Sequence, residues 1–314
     1  MTGGHPGDDT LANYKQILED IHGEVRNLKD RGKVADYIPA LAQVDAKKFG
    51  MAIRTLDGEQ ESVGDADEHF SIQSISKMFA LEMALKLVGD DIWKRVGREP
   101  SGDPFNSLVQ LEHEHGIPRN PMINAGAIVV SDCLASMDDS KTAVVEYLQM
   151  LSGDPEVAFD LEVARSEADH GYLNHALANY LKSHDNLHND VEQVLDLYFH
   201  QCSLTMNCGD RLRACLHLAA KGFSRLHEKQ ILTPLMCRRT NAIMLTCGLY
   251  DAVGNFAYRV GLPAKSGVGG GIVAVLPNEY CAAVWSPGLD RWGNSLVGTA
   301  ALEMLTIMTG NSIF

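Results

Sequence analysis

The pattern of apolar positions predicts a helix at the start of the chain and a hairpin soon after it. In residues 11–28 apolar side chains recur at helical spacing, which predicts an amphipathic opening helix. Residues 51–56 and 59–63 flank the dipeptide Asp57-Gly58. Because Asp-Gly is a favoured two-residue turn, these two segments predict a short β-hairpin.

The middle of the chain has helical periodicity, and extended segments return near its end. A helix that is apolar on most faces is expected from about residue 71, with Gly89 at its end. Helical spacing continues to about Arg225, interrupted by a polar segment, 183–190, that predicts a surface loop before a helix at 191–201. Four later segments predict strands: 256–260, 264–266, 272–276 and 280–285. A last helix is predicted within 294–314.

Strands at both ends of a helical middle indicate an α+β chain with two lobes. We expect a flexible tail over 1–10, an α/β sheet lobe built from 11–70 and 226–314, and a helical lobe over 71–225. A cleft between the lobes is the expected place for a functional site.

Composition and charge exclude several classes of function. Hydrophobic residues make up 45% and charged residues 22% of the 314, which argues against a disordered chain. The formal charge of −14 repels phosphate backbones and anionic lipids, so we expect no nucleic-acid partner and no membrane partner. Seven scattered cysteines without a C-x-x-C pair, and an N-terminus without a signal-peptide pattern, favour a cytoplasmic protein with reduced thiols and no structural zinc.

Ser74 and Lys77 are the main candidates for chemistry. Three residues apart on a helix, they lie on one face, so the amine can reach the hydroxyl. To act as a base the lysine must be neutral, and burial or a second nearby cation lowers its pKa toward that state. Free backbone N–H groups at a helix N-terminus near Ser74 could hold an oxyanion. Because Ser-x-x-Lys is expected roughly once by chance in a chain this long, its context decides.

The Lys-Ser-Gly sequence at 265–267 supplies that context. Ser-x-x-Lys followed by a Lys-Thr-Gly strand is typical of serine β-lactamases and penicillin-binding proteins. Their Ser-Asp-Asn element is missing, and the nearest string is Ser-Asp-Cys at 131–133. A β-lactamase or D,D-peptidase-like serine hydrolase therefore stays an alternative.

Five segments closely resemble the serine-dependent glutaminases, which have a β-lactamase-like fold. They are QSISK at 73–77, PFNS at 104–107, NPMINAGAI at 120–128, CGLYD at 247–251 and GLPAKSGVGGG at 261–271. The likeness extends from about Tyr37 to the C-terminus and looks like the bacterial single-domain type. It implies an antiparallel sheet flanked by terminal helices, an all-helical lobe, and an active site in the cleft between them.

The resemblance also implies roles for individual residues. Ser74 would be the nucleophile, Lys77 its base and Tyr250 a proton relay, with the N–H groups of Ser74 and Val268 as the oxyanion hole. The implied reaction converts L-glutamine to L-glutamate and ammonia without metal or organic cofactor, in a homotetramer or dimer. The implied substrate-binding residues are Ser74, Tyr37, Asn124, Glu167, Asn174, Tyr198, Tyr250 and Val268.

Several of these residues also have a purely structural explanation. Tyr37 and Tyr198 would be core aromatics with satisfied hydroxyls, Asn124 a helix cap and Glu167 a charge at a helix end. The agreement of several motifs in the right order favours the functional interpretation. A second alternative is a sensor that binds an amino acid without turnover; it would bind glutamine and release no ammonia.

Overall fold

The computed structural model describes residues 13–314, so the tail expected over 1–10 and the first residues of the predicted opening helix lie outside the described residues. The opening helix is confirmed from Tyr14, with the side chain of Asn13 accepting a hydrogen bond from the Gln16 amide at 3.2 Å. The helices are α1 (Tyr14–Arg26), α2 (Pro39–Ala42), α3 (Ser76–Val88), α4 (Leu108–His113), α5 (Asn124–Ala135), α6 (Ser140–Ser152), α7 (Leu161–His170), α8 (Tyr172–Ser183), α9 (Val191–Ser203), α10 (Cys208–Ala219), α11 (Pro234–Cys247), α12 (Val253–Arg259) and α13 (Leu296–Thr309).

The strands form one large antiparallel sheet and two small ones. The large sheet has the order β2-β1-β10-β9-β8, and Gly50 of β1 lies opposite Trp285 of β10. The small sheets have the orders β3-β5-β4 and β6-β7. The strands are β1 (Gly50–Thr55), β2 (Gln60–Gly64), β3 (Phe70–Ser71), β4 (Ala158–Phe159), β5 (Leu204–Met206), β6 (Phe223–Ser224), β7 (Lys229–Gln230), β8 (Ala264–Ser266), β9 (Gly271–Leu276) and β10 (Tyr280–Trp285).

The predicted hairpin and the last three predicted strands are confirmed as β1–β2 and β8 to β10. The strand predicted at 256–260 is wrong, because this segment lies mostly in α12. Phe256 is buried on that helix, and its carbonyl accepts the Val260 amide at 2.7 Å. A short apolar run fits a strand or a buried helix equally well, so its periodicity alone does not distinguish them.

The large sheet is covered on both faces, as its strand periodicity requires. Met51 and Ile53 face a core made with α1 and α13, whereas Ala52 faces a larger core made with the helical part of the chain. Helix α10 packs directly on this second face of the sheet, although it falls in the range of the predicted helical lobe. The division into two lobes at the predicted boundaries stays a prediction.

Helix α3 is apolar on most faces and almost entirely buried, as predicted, and it ends at Gly89, whose φ is +59°. Its predicted start at about residue 71 is wrong, because residues 70–71 pair with β5 as strand β3, and α3 begins at Ser76. It packs against α5, a helix that is buried along its whole length. The residues just before α3, Gln73 to Ile75, are buried as well.

All seven cysteines are buried and free. Burial raises the pKa of each of their thiols. Over residues 13–314, every helix is too short or too polar to span a bilayer.

Candidate active site

The site is a pocket of about 230 Å³ that brings together most of the predicted site residues. Lys77 and Tyr250 are not part of its wall, but each contacts a residue that is. The predicted residues on the wall are Tyr37, Ser74, Asn124, Glu167, Asn174, Tyr198 and Val268.

Ser74 lies in a single 3-10 turn, Gln73–Ile75, that leads directly into α3. Gln73 has a φ of +50°, a conformation that is rare and strained for a residue with a side chain. Such strain persists only where the surrounding structure imposes it, which makes it a mark of functional sites. The turn places the Ser74 hydroxyl on the wall of the pocket at the start of a buried helix.

Lys77 follows one turn later and is fully buried. Its Nζ donates a hydrogen bond to Oδ1 of Asn124 at 2.6 Å, and Nδ2 of Asn124 donates to Oδ1 of Asn174 at 2.9 Å. Burial lowers the pKa of Lys77 to about 8, although the nearby Cys202 and Glu167 act in the opposite direction. A substantial fraction of this amine is therefore neutral near physiological pH.

Tyr250 is held behind Ser74 in a second strained position, with a φ of +52°. Its ring packs on Phe105, with centroids 4.5 Å apart, and its hydroxyl faces the hydroxyls of Ser74 and Ser266. Burial raises the pKa of Tyr250 to about 12, while these two hydroxyls partly offset the rise. Among residues 13–314 its hydroxyl makes no hydrogen bond of regular geometry, so it stays available to a reacting group.

Strand β8 contributes a second buried lysine beneath Tyr250. Nζ of Lys265 lies 4.5 Å from the centroid of the Tyr250 ring and donates to the carbonyls of Gly248 and Ser266, at 2.9 and 2.5 Å. Burial and the charge of Lys77 lower the pKa of Lys265 well below its usual value. Two lysines thus share one buried region, which favours loss of a proton from one of them.

Glycines after β8 allow the backbone to approach the Ser74 turn closely. A Cβ on Gly267 would lie 2.5 Å from the carbonyl oxygen of Ile72, and one on Gly269 would lie 2.5 Å from that of Ser71. In the described part of the chain, the amides of Ser74 and Val268 donate to no backbone carbonyl. These two N–H groups are free to hold a developing negative charge.

Glu167, on α7, is a buried carboxylate in the pocket wall. Burial raises the pKa of Glu167 to about 7, against the opposing effects of the Gln73 side chain and the Lys77 charge. Tyr198 is fully buried on α9, and Tyr37 is 54% exposed at the edge of the pocket. The pocket therefore offers a carboxylate for a cation, with aromatic hydroxyls around it.

The sequence comparison decides the family. The chain matches the glutaminase family over residues 32–314. The chain belongs to the glutaminase family. Glutaminase from Rhizobium leguminosarum bv. trifolii is 54% identical over 307 residues, which are 97% of this chain and 99% of that protein. Glutaminase from Ralstonia nicotianae is 54% identical over 303 residues, which are 96% and 100%.

Solved structures of the glutaminase family have the same fold. The probable glutaminase ybaS is 37% identical, with a TM-score of 0.91 over 96% of this chain and 97% of that one. A probable glutaminase from Bacillus subtilis is 31% identical, with a TM-score of 0.84 over 95% and 97%. The predicted β-lactamase-like α+β fold is confirmed, and membership of the glutaminase family makes the chain an amidohydrolase.

Other residues of the glutaminase pocket were not singled out from the sequence. Cys202 lies one helical turn after Tyr198 on α9, and that spacing alone could have found it. Gln73 precedes Ser74 directly, and Phe105 and Asn106 belong to a segment that carried the resemblance without a predicted role.

A group with the spacing of metal ligands lies elsewhere on the glutaminase fold. Donor atoms of His69, Asp154 and Asp210 all lie within 4.8 Å of one another. Asp210 already accepts hydrogen bonds from Arg213 at 2.5 Å and from the Asn207 amide at 3.0 Å. Because none of the three lines the pocket, this group has no place in its chemistry.

Proposed function

We propose that this chain hydrolyses L-glutamine to L-glutamate and ammonia through an acyl-enzyme on Ser74. The observation that carries the proposal is a single pocket that holds a serine at a strained helix start, next to a buried lysine and opposite a buried carboxylate. The glutaminase family gives the substrate, and this arrangement supports the mechanism.

In the first half of the reaction, Oγ of Ser74 forms a bond to the side-chain amide carbon of glutamine. Its proton passes to neutral Lys77, directly or through the Tyr250 hydroxyl. With a pKa of about 8, roughly a tenth of the Lys77 amine is neutral at pH 7. The oxyanion accepts hydrogen bonds from the N–H groups of Ser74 and Val268, which have no backbone partner in the described residues.

Collapse of the tetrahedral intermediate breaks the bond between carbon and nitrogen. The departing nitrogen takes the proton held by Lys77 or Tyr250 and leaves as ammonia. Water then attacks the γ-glutamyl ester, gives its proton to the same base, and releases glutamate as Ser74 recovers its proton. The proton balance closes within the pocket, and each step uses a group that this chain supplies.

Recognition of glutamine depends on the charges of its α-ammonium and α-carboxylate groups. We propose that Glu167 pairs with the α-ammonium, because it is the carboxylate on the pocket wall and its burial strengthens an ion pair. Asn124, Asn174, Tyr37 and Tyr198 supply polar groups for the rest of the substrate. Binding of the cation in turn favours the ionised form of Glu167.

We also propose that the chain works in the cytoplasm as a homotetramer or dimer. Buried, free thiols suit a reducing compartment. Exposed apolar side chains such as Tyr172, Tyr258 and Ile307 offer surface for a second copy. Light scattering of the purified protein would test this, and a monomer at all concentrations would contradict it.

Ammonia release from L-glutamine by the purified protein tests the proposed reaction. We expect release that requires Ser74, with Ser74→Ala as the matched variant and L-asparagine as the substrate control. Glutamine-dependent thermal stabilisation without ammonia would favour an amino-acid sensor. Reaction with penicillin-like substrates in place of glutamine would favour the β-lactamase alternative.

A further inference from the structure

The backbone N–H groups of Ser74 and Val268 belong to two segments that are far apart in the sequence. Ser74 lies in the turn after β3, and Val268 lies in residues 267–270, between β8 and β9. We call residues 267–270 the oxyanion loop, because the proposed function gives the Val268 amide that role. Two N–H groups stabilise an oxyanion only when both reach it at hydrogen-bond distance, so the spacing of the two segments has to be fixed.

One side chain from outside the oxyanion loop holds its centre. The Gly270 amide donates to the Gly267 carbonyl at 2.9 Å. Val268 and Gly269 are therefore the central residues of a tight turn. Nε1 of Trp285, on β10, donates to the carbonyl of Gly269 at 3.0 Å. Trp285 is 2% exposed and does not line the pocket, so it reaches the loop through the protein interior.

The same indole ring packs on the segment that leads to Ser74. It stacks on Phe70, on β3, with ring centroids 4.5 Å apart and ring planes 10° from parallel. Phe70 pairs with Met206 of β5 and directly precedes the residues whose carbonyls lie against the oxyanion loop. Trp285 therefore contacts both segments that carry the two N–H groups, one through a hydrogen bond and the other through a stacked ring.

An unpaired charge lies against this pair of rings. Cζ of Arg211, on α10, is 3.8 Å from the centroid of the Phe70 ring. Arg211 is fully buried, and in the part of the chain that the structure describes it forms no ion pair and its Nη1 makes no hydrogen bond. Its guanidinium has room because residue 271 is a glycine, where a Cβ would lie 2.6 Å from Nη1. Arg211 thus packs against Phe70 and against the residue that follows the oxyanion loop.

The burial of Arg211 calls for an explanation beyond stability. A buried guanidinium without a carboxylate partner destabilises the folded state, and an apolar side chain of similar volume would cost less. The face of the Phe70 ring offsets only part of that cost. Proteins break such rules mainly at functional sites. The position of Arg211 is explained if its charge holds the Phe70 ring, and through it Trp285, in place.

We propose that Trp285 is a positioning residue for the oxyanion hole, held in its position by the contact between Phe70 and Arg211. The inference rests on the proposed function for the role of the oxyanion loop. The hydrogen bond from Trp285 fixes the orientation of the loop, and the stacked ring fixes its distance from the Ser74 turn. None of the three side chains lines the pocket, so their effect on turnover passes through the backbone N–H groups.

Trp285→Phe tests the proposal, because it keeps an aromatic ring on Phe70 and removes the Nε1 donor. We expect kcat for ammonia release from glutamine to fall about 10- to 100-fold, with KM within about threefold of the parent, since an oxyanion interaction is strongest in the transition state. The pH profile should keep its shape, because Lys77 and Glu167 are unchanged. Trp93→Phe is the matched control, since Trp93 is a half-buried tryptophan that packs on the helical core, and it should keep the kcat of the parent.

Arg211→Met tests the supporting contact with a variant that is expected to fold. We expect kcat to fall about three- to tenfold while the melting temperature does not fall, because the change removes an unpaired buried charge at similar volume. A residue that only supports the fold would give the reverse, a lower melting temperature and an unchanged kcat. In the Trp285→Phe background, Arg211→Met should have no further effect on kcat, since Arg211 acts through Trp285.

Hydrogen exchange of the peptide that covers the oxyanion loop gives a readout independent of turnover. Exchange of the Gly267 and Gly270 amides should become about tenfold faster or more in Trp285→Phe, and should stay at the parent rate in Trp93→Phe. An unchanged kcat in Trp285→Phe, a KM that rises as much as kcat falls, or slower turnover without faster exchange would overturn the proposal. Faster exchange in Trp285→Phe, when the parent itself releases no ammonia, would support the positioning of the loop and contradict the proposed reaction instead.

Discussion

The pKa values of two buried carboxylates, Glu167 and Asp132, are shifted in opposite directions. Burial raises the pKa of Glu167 to about 7, and few protein groups oppose the rise. Burial acts on Asp132 as well, but hydrogen bonds outweigh it and lower the pKa of Asp132. The difference lies in the partners, because burial is common to both.

Asp132 has its partners within the protein. It accepts the amides of His188 and Asn189 at 3.0 and 2.8 Å, and its Oδ2 pairs with Nη2 of Arg95 at 2.5 Å. Glu167 lies on the wall of the pocket, and the Gln73 side chain and the Lys77 charge only partly offset the effect of its burial. A buried carboxylate with hydrogen-bond and ion-pair partners inside the protein stabilises the fold, whereas one with few such partners is a candidate for binding a ligand.

The largest expected effect is a loss of activity that leaves the stability of the fold unchanged. Ser74→Ala should lower kcat by at least ~10⁴-fold, because it removes the proposed nucleophile. The melting temperature should stay close to that of the parent, since the change removes one hydroxyl. Ammonia release and thermal unfolding measure the two quantities. A variant that keeps most of its activity would contradict the mechanism.

Glu167→Gln should lower the activity of the protein and raise its stability. We expect kcat/KM for glutamine to fall about 1,000-fold, since the buried partner of the ammonium is lost. In the folded state the pKa of Glu167 is raised to about 7. Between about pH 4.5 and 7 the folded protein therefore keeps a proton on this carboxyl that the unfolded chain has already lost. Stability due to this group is lost as the pH rises through that window.

At pH 8 the ionised carboxylate is therefore a cost to the free protein, and Glu167→Gln should raise the free energy of unfolding by about 1–3 kcal/mol. Urea unfolding without substrate measures the change. Glu162→Gln is the control, because Glu162 is exposed on the same helix. A loss of stability in Glu167→Gln would contradict the contrast with Asp132.

Asp132→Asn should have the reverse outcome. We expect the free energy of unfolding to fall by about 3 kcal/mol, because Arg95 is left without the carboxylate that pairs with it. In the folded fraction, kcat/KM should change little, since Asp132 does not line the pocket. Asp138→Asn, an exposed change just after the same helix, is the control. A stable variant with impaired turnover would place Asp132 in the reaction.

The smallest expected effect is on the pH profile. The proposed mechanism needs neutral Lys77, with a pKa of about 8, and ionised Glu167, with a pKa of about 7. Both fractions increase with pH, so kcat/KM should rise at least ~10-fold from pH 6 to pH 8. The steepest rise should disappear in Glu167→Gln. A profile that falls over this range would assign the base to another group.

The sequence was most informative where pattern and chemistry coincide. The Asp57-Gly58 hairpin, the helix that ends at Gly89 and the strands β8 to β10 follow from turn chemistry and periodicity. The short strands β4 and β5 carry too few residues for any periodicity and lie unpredicted in the helical middle. The loop predicted at 183–190 is confirmed between α8 and α9, but Asn186 and Leu187 are buried in it.

The site was predictable in its members and less so in its electrostatics. Ser74, Lys77 and Tyr250 were found from motifs that are local in the sequence. The left-handed conformation of Gln73 and the pKa shifts of Lys77 and Glu167 depend on contacts between distant segments, and no local pattern encodes them. The roles of the site residues stay predictions until the variants are measured.

The burial of all seven cysteines gives the protein built-in reporters of its own opening. A thiol reagent in water can modify these side chains only when the surrounding structure opens, so the labelling rate follows local or global unfolding. Cys202 lies on the wall of the pocket, where it is 3% exposed, and Cys281 lies in β10 at the centre of the sheet. Mass spectrometry of the two labelled peptides would therefore compare the rate at which the pocket opens with the rate at which the sheet opens, without any engineered probe.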